Sequence, residues 1–410
     1  MKIRSVRGLE ILDSRGNPTI EAEVALEDGT RAVAQVPSGA STGRHEACEL
    51  RDSGEARFGG KGTLRAVRNV EERLGPAVCG MRADDQRGLD TRLIEADGSD
   101  DRSRLGANAM LAVSCATARA AAIARGVPLW RHLSEMSLKP APRMPAPMIN
   151  IISGGLHAGR NLEFQDFLAI PRGYPDLISA LEATVRVHRQ TERLLERRGC
   201  ILTGVADEGG WGPRLGSNEE AAALLREAIG VAGTSMDIAL DVASTHFYED
   251  GGYQVEGKRR SSTEMADLLE GWISRYGVAS IEDPCAEDDW AGWKVITARL
   301  GSRVRLVGDD LFTTNLNRLD RGIAEGAANS VLVKMNQIGT LTETFAVIDR
   351  AREAGYGAVI SARSGETEDS FLADLAVASG AGQIKVGSVT RSERLAKYNR
   401  LLEIERWELT

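Results

Sequence analysis

Apolar and charged positions alternate over 20–26, where Ile20, Ala22, Val24 and Leu26 share one side and Glu21, Glu23 and Ala25 the other. A period of two is that of a half-buried strand. Asp28-Gly29 follows as a hairpin turn and predicts a partner strand over 30–36. Helical periodicity takes over at 64–74 and in the Ala-rich run 107–125, which Gly126 and Pro128 close. Strands followed by helices predict an α+β unit. The segment 138–147 holds four prolines, Pro140, Pro142, Pro145 and Pro147. Neither a helix nor an inner strand is expected there, so the domain boundary is drawn at its start: 1–137 as a smaller N-terminal domain, 138–410 as the remainder.

Beyond the prolines the rhythm changes. Short apolar runs each end in a polar or charged residue, at Asp241, Glu282-Asp283, Asp309, Lys334, Ser361 and Lys385. The spacing, roughly 25 to 50 residues, gives room for a buried strand and a crossover helix each time, the unit of a β/α barrel. The predicted class is therefore α/β, a barrel preceded by a smaller α+β domain.

Composition narrows the function classes. A net charge of −8 offers no basic face for nucleic acid. Apolar residues at 42% exclude a disordered chain. The run 107–124 contains Arg119 and is rich in Ala rather than Leu, so it is expected to be a buried helix and no membrane span. No apolar h-region follows the charged N-terminus. Five cysteines without a CxxC pair predict neither a disulfide framework nor a zinc site, and a reducing cytoplasm as the compartment.

In a barrel the C-terminal strand ends converge on one face, bringing together Asp241, Glu282, Asp309, Lys334 and Lys385. Three carboxylates with two lysines point to a Mg²⁺ site with bases beside it, since hard cations take oxygen ligands. Any one of these residues alone could be a salt bridge on the barrel rim. Five at one place favour the metal.

Several longer segments carry a resemblance. Asp13-Ser14-Arg15-Gly16-Asn17-Pro18-Thr19, Pro37-Ser38-Gly39-Ala40-Ser41-Thr42-Gly43, Asp207-Glu208-Gly209-Gly210, Ser280-Ile281-Glu282-Asp283, Val307-Gly308-Asp309-Asp310-Leu311, Lys334-Met335-Asn336-Gln337-Ile338-Gly339 and Ser364-Gly365-Glu366-Thr367-Glu368-Asp369 resemble the signature segments of enolases, in order. The resemblance runs from about Ile3 to the end of the chain. It implies an eight-stranded barrel whose second strand runs against the others, and the dehydration of 2-phosphoglycerate to phosphoenolpyruvate. It also implies a homodimer or higher homo-oligomer acting on a small phosphorylated three-carbon acid, with no nucleic-acid or membrane partner.

Carried across, Asp241, Glu282 and Asp309 would bind a first Mg²⁺ and Ser41 would help hold a second. Lys334 would remove the C2 proton, and Glu208 would assist loss of the C3 hydroxyl with Asp166 beside it. His157 would lie on a loop closing over the phosphate, next to Gln165. Arg363 and Ser364 would hold phosphate, and Lys385 the carboxylate.

The residue types suit that chemistry. A C–H beside an ionised carboxylate is a very weak acid, and divalent ions on the carboxylate spread the charge its loss creates. Lys334 must be neutral to act as a base, so nearby Mg²⁺ and Lys385 are expected to lower its pKa. Glu208 is expected to start protonated, or to act through water. The small-residue run 38–43 is expected to be a closing lid, and Phe58-Gly59-Gly60-Lys61-Gly62-Thr63 a loop before a helix. His45, His132 and His188 show no partner in the sequence.

Three positions depart from the enolase pattern. Ala362 stands in Ser361-Ala362-Arg363-Ser364 where enolases carry His. Asp166 replaces Glu in Gln165-Asp166-Phe167, and Thr245-His246 replaces a common Ser-Glu. The first two fall on the leaving-group side. Two readings follow, an ordinary enolase and a specialised relative such as carboxyphosphonoenolpyruvate synthase of phosphinic-acid antibiotic pathways. A non-catalytic binding protein is a distant third, because the metal and base set is intact.

Overall fold

The computed structural model describes residues 1–410 apart from 40–42, 55, 140 and 410. Strands β1 (Ile3–Leu12), β2 (Pro18–Leu26) and β3 (Arg31–Gln35) form an antiparallel meander. The expected hairpin joins β2 to β3, with Ala25 opposite Arg31. Five helices follow: α1 (Leu64–Asn69), α2 (Gly75–Val78), α3 (Gln86–Asp97), α4 (Ala107–Arg125) and α5 (Leu129–Ser134). The Ala-rich helix α4 packs on β2 and β3. It is long and apolar enough to cross a membrane by length and composition. Here it is the core of the domain, buried without a break from Ala107 to Ala118.

The second part opens with β4 (Ala146–Ser153), β5 (Asp166–Pro171), helices α6 (Leu177–Arg197) and α7 (Asn218–Val231), and β6 (Met236–Asp241). A small meander of β7 (Tyr248–Glu249), β8 (Gly252–Val255) and β9 (Lys258–Arg260) comes next, then α8 (Ser262–Tyr276). Regular alternation follows: β10 (Val278–Glu282), α9 (Trp290–Leu300), β11 (Arg305–Gly308), α10 (Leu316–Glu325), β12 (Ser330–Val333), α11 (Leu341–Glu353), β13 (Gly357–Ser361), α12 (Phe371–Ser379), β14 (Gly382–Gly387) and α13 (Ser392–Glu403). The barrel closes in the order β10-β11-β12-β13-β14-β4-β5-β6. Strand β5 runs antiparallel to both its neighbours, so its first residue, Asp166, reaches the face where the other strands end.

One expectation needs correction. The proline segment does enter a strand, because Ala146 and Pro147 begin β4, with Pro147 opposite Ile384. Pairing of β4 with β5 starts only at Ile149. Pro147 therefore sits at a strand start with one neighbour, where a missing N–H costs no ladder bond on the other side.

Alternation along the strands sends every second residue into the lumen. Met148, Leu168, Ala239, Val307, Leu332 and Val359 form a separate buried apolar cluster. One alternation toward the active face stand Asn150, Asp166, Asp241, Asp309, Lys334 and Ser361. The lumen thus has an apolar floor under a polar layer. The N-terminal unit is tied to the barrel by Arg119 to Asp369 at 2.6 Å and by paired backbone bonds between Ser38 and Gly365.

Candidate active site

Asp241 and Glu282 end neighbouring strands and stand opposite each other in register. The Lys385 ammonium donates to Asp241 Oδ2 and to Glu282 Oε2, each at 2.8 Å. Gln165 Nε2 donates to the same Asp241 oxygen at 3.1 Å. Across the mouth, Asp309 accepts from Lys334 Nζ and from Gln337 Nε2, the latter at 3.0 Å. The structure therefore brings together the three carboxylates and two lysines expected from the strand ends. Burial, then Asp241, push the Glu282 carboxyl well above its ordinary range. Burial disfavours the Lys385 ammonium, but Asp241 and Glu282 outweigh it and raise the pKa well above normal.

At Lys334 the protein's own groups act against the lowering expected from a neighbouring Mg²⁺. Burial, the largest single influence, would lower its pKa, yet Asp309, Glu282 and Glu46 together outweigh it and the net direction is upward. In its ion pair Lys334 is a stabilised ammonium. The donor chemistry fits a hard divalent cation: two carboxylate oxygens already converge on one positive centre, the Lys385 nitrogen, and the third ligand faces a second.

A further carboxylate escaped sequence reasoning. Asp283 adopts a left-handed backbone, with φ of 42°. Its two oxygens accept the backbone N–H groups of Asp309 and Asp310 at 2.9 and 2.8 Å. Ligand atoms of Asp283, Asp309 and Asp310 lie within 4.8 Å of one another. The doubled acids in Glu282-Asp283 and Asp309-Asp310 were the available signal.

The opposite wall is made by His157, Asp166 and Glu208, also within 4.8 Å. His157 Nδ1 lies 3.0 Å from Asp166 Oδ2, and its Nε2 lies 3.9 Å from Glu208 Oε1. The other Asp166 oxygen accepts from Asn150 Nδ2 at 2.5 Å and Ser153 Oγ at 3.1 Å. Both oxygens are engaged, and Asp166 is fully buried. Burial opposes the His157 imidazolium, but Asp166 and Glu208 override it and raise the pKa to about 9. Burial raises the Asp166 carboxyl above its ordinary range, and His157 restrains that rise. Glu208 is lowered: burial works against its charge, and His157, Arg394 and Lys385 overcome it. The directions at His157 and Glu208 favour an imidazolium beside a carboxylate, which suits the expected alternative in which Glu208 acts through water.

Arg363 donates to Glu46 Oε2 and to Asn336 Oδ1, both at 2.9 Å. Glu46 belongs to the loop after the expected lid and was not anticipated. Ser364 is buried, and its carbonyl accepts from Arg394 at 2.7 Å. Ala362 is buried between Ser361 and Arg363, and its N–H is bound to the Lys385 carbonyl at 2.8 Å. Its methyl offers no donor to the mouth. Ser41, with Ala40 and Thr42 of the expected lid, lies outside the described residues.

The three histidines without a partner in the sequence do have one: His45 with Asp288 at 3.1 Å, His132 with Arg125 at 2.8 Å and His188 with the Gly209 carbonyl at 3.1 Å. All five cysteines are free.

A closed β/α barrel with carboxylates and lysines on its strand ends and a small sheet-and-helix domain in front is the build of a two-domain barrel protein with one charged mouth. Comparison with known proteins gives the family. Residues 3–133 match the enolase N-terminal domain and residues 141–409 the enolase C-terminal TIM barrel domain. An enolase of Rubrobacter xylanophilus is 53% identical over 410 residues, covering 98% of this chain and 94% of that protein. The chain belongs to the enolase family and is an enolase-type lyase.

Proposed function

We propose that the chain interconverts 2-phosphoglycerate and phosphoenolpyruvate with Mg²⁺, the N-terminal domain being 1–137 and the catalytic barrel 138–410. The observation that carries this reading is the pairing of Lys334 with Asp309 on one side of the mouth and His157 with Glu208 on the other. Proton removal and hydroxide loss need separate groups on two sides of one substrate.

Asp241, Glu282 and Asp309 would hold Mg²⁺, with Ser41 assisting a second ion; when bound, the ions supply positive charge to the substrate carboxylate. Lys334 takes the C2 proton. As an ammonium it cannot, so any competitor that draws Asp309 away from it lowers its pKa and prepares it. In the hydration direction the ammonium is the form required. Arg363 exchanges Glu46 for the substrate phosphate, with Ser364 beside it, and Lys385 and Gln165 orient the carboxylate end. On the leaving side the His157 imidazolium supplies the proton and Glu208 guides the departing hydroxyl. Asp166, with both oxygens occupied, positions His157 rather than meeting substrate.

The relative named above supports the ordinary activity. The carboxyphosphonoenolpyruvate reading rests on Ala362 and Asp166 alone, and the antibiotic pathway gains no further support. Steady-state phosphoenolpyruvate formation from 2-phosphoglycerate with Mg²⁺ tests the proposal. Turnover in the usual enzyme range of about 1–10³ s⁻¹ is expected. No turnover, with C2 proton exchange intact, would transfer the chain to a modified substrate.

A further inference from the structure

The barrel has a second polar mouth, at the end opposite the acidic one. One alternation below Val307, Leu332 and Val359 stand Arg305, Ser330 and Gly357. With Ser280 and Gln383 they line a cavity of about 870 Å³. The apolar floor of the lumen separates this space from Lys334.

Arg172, Arg303 and Arg305 line the cavity, and Arg143 stands near enough to Arg305 to act on its charge; the four fall into two kinds. Arg172 pairs with Asp237, and Arg303 with Glu270 at 2.6 Å. Arg305 instead donates to the neutral amide oxygen of Gln383 at 2.5 Å, and Arg143 to the Gly380 carbonyl at 3.2 Å. Among the described residues neither forms an ion pair with a carboxylate. Burial, and then the charge of Arg143, lower the Arg305 pKa, as expected of two cations sharing one space without a counter-charge.

Glycine leaves room for the two arginine side chains. A Cβ on Gly357 would stand 2.7 Å from Ser330 Oγ and 3.2 Å from the Arg305 guanidinium carbon. A Cβ on Gly382 would stand 2.6 Å from an Arg143 nitrogen. Ser280 is an independent sign: it is 2% exposed, lines the cavity, and its hydroxyl has no hydrogen-bond partner. A buried hydroxyl left unpaired is costly, and a ligand acceptor would remove the cost.

We propose that this lower mouth binds a phosphate-class dianion, with Arg305 and Arg143 providing the charge and Ser280 a hydroxyl donor. A guanidinium presents its N–H groups as a planar fork that matches phosphate oxygens. The site is independent of the reaction assigned to the acidic mouth, and its ligand is free phosphate or a phosphate monoester.

Equilibrium dialysis of the full chain against labelled inorganic phosphate, without Mg²⁺, counts the sites. The native chain should bind phosphate at a site that survives Arg363→Gln, which removes the cation assigned to phosphate in the upper mouth. Arg305→Gln or Arg143→Gln should weaken this lower site by about tenfold or more, and Arg305→Lys should recover part of the loss. Turnover of 2-phosphoglycerate by the Arg143 and Arg305 variants should stay within about twofold of native, since the apolar floor intervenes. Tighter binding of glycerol phosphate than of phosphate would assign a monoester; equal or weaker binding would assign the free ion. Arg143 is exposed, so its variant keeps the test valid if Arg305→Gln does not fold. Phosphate binding to the Arg363→Gln chain that is unchanged by Arg143→Gln and Arg305→Lys, or no binding to that chain, overturns the proposal.

Discussion

The two walls of the acidic mouth are built on different plans. On one, Asp241, Glu282, Asp309, Lys334 and Lys385 stand at or near the ends of parallel strands and bind one another directly. These five are the residue types the enolase resemblance asks for at those positions. On the other, His157 and Glu208 come from loops and Asp166 from the reversed strand, and Asn150 and Ser153 hold the group together. This wall carries one departure, Asp166; the other, Ala362, follows the end of β13, between the strands that carry Lys334 and Lys385. Strand ends are fixed by the barrel ladder, so their side chains can change only together. Loop residues can be retuned while the ladder stays as it is.

The largest effect should come from the strand-end wall. Asp309→Ala, or chelation of Mg²⁺, is expected to lower phosphoenolpyruvate formation by about 10³-fold or more, because a lost ligand removes several kcal/mol of charge stabilisation. Near-native turnover would place the metal elsewhere. Next, Lys334→Ala should slow exchange of the substrate C2 proton with deuterated solvent by roughly 10²–10⁴-fold while Mg²⁺ binding persists. Exchange at the native rate would take the base role from Lys334.

The two departures predict a gain. Ala362→His with Asp166→Glu should raise phosphoenolpyruvate formation by up to about tenfold, more than either change alone, since both serve one leaving hydroxyl. No gain would mean that the loop wall is already complete with His157 as its acid.

A stability measurement sharpens the same point. His157 has its pKa raised from an ordinary 6.5 to about 9. A raised pKa contributes fully below the unfolded value and is lost as pH climbs through the folded one. The stability of the native chain over His157→Asn in urea unfolding should therefore be greatest below pH 6.5. It should shrink between pH 6.5 and 9 by at most about 1.4 kcal/mol per pH unit. An advantage independent of pH would mean that the imidazole is held neutral. The smallest effect is a control away from both walls. Ser261 and Glu264 form a capping box at the start of α8, and Ser261→Ala should cost about 1 kcal/mol in unfolding without changing turnover.

What the sequence disclosed follows from range. Asp241, Glu282, Asp309, Lys334 and Lys385 were legible because each closes a short apolar run, and barrel geometry alone brings such ends together. The helix α4 was legible from its Ala-rich, unbroken apolar pattern. The reversal of β5 was not, since alternation has no direction; it came only with the resemblance. Pairing across hundreds of residues was equally hidden, as between Glu46 and Arg363. So was the use of Asp283 as a clamp on two backbone N–H groups, which depends on a left-handed turn that a sequence does not display. Protonation was the least legible, because the states of Lys334 and Glu208 are set by neighbours from other strands and loops.

The reversed strand has a consequence for how this protein can change. Because β4 and β5 run in opposite directions, the connection between them begins and ends at the active face, with no helix to cross the barrel. His157, Gln165 and Asp166 therefore travel as one short hairpin tip. A swap of residues 154–166 between family members would transplant that part of the proton-donating wall in a single genetic step, and leave the parallel strands and their carboxylates in place. Such a tip is a natural unit of inheritance and of engineering, and a first place to look when two enolases of like sequence differ in what they release.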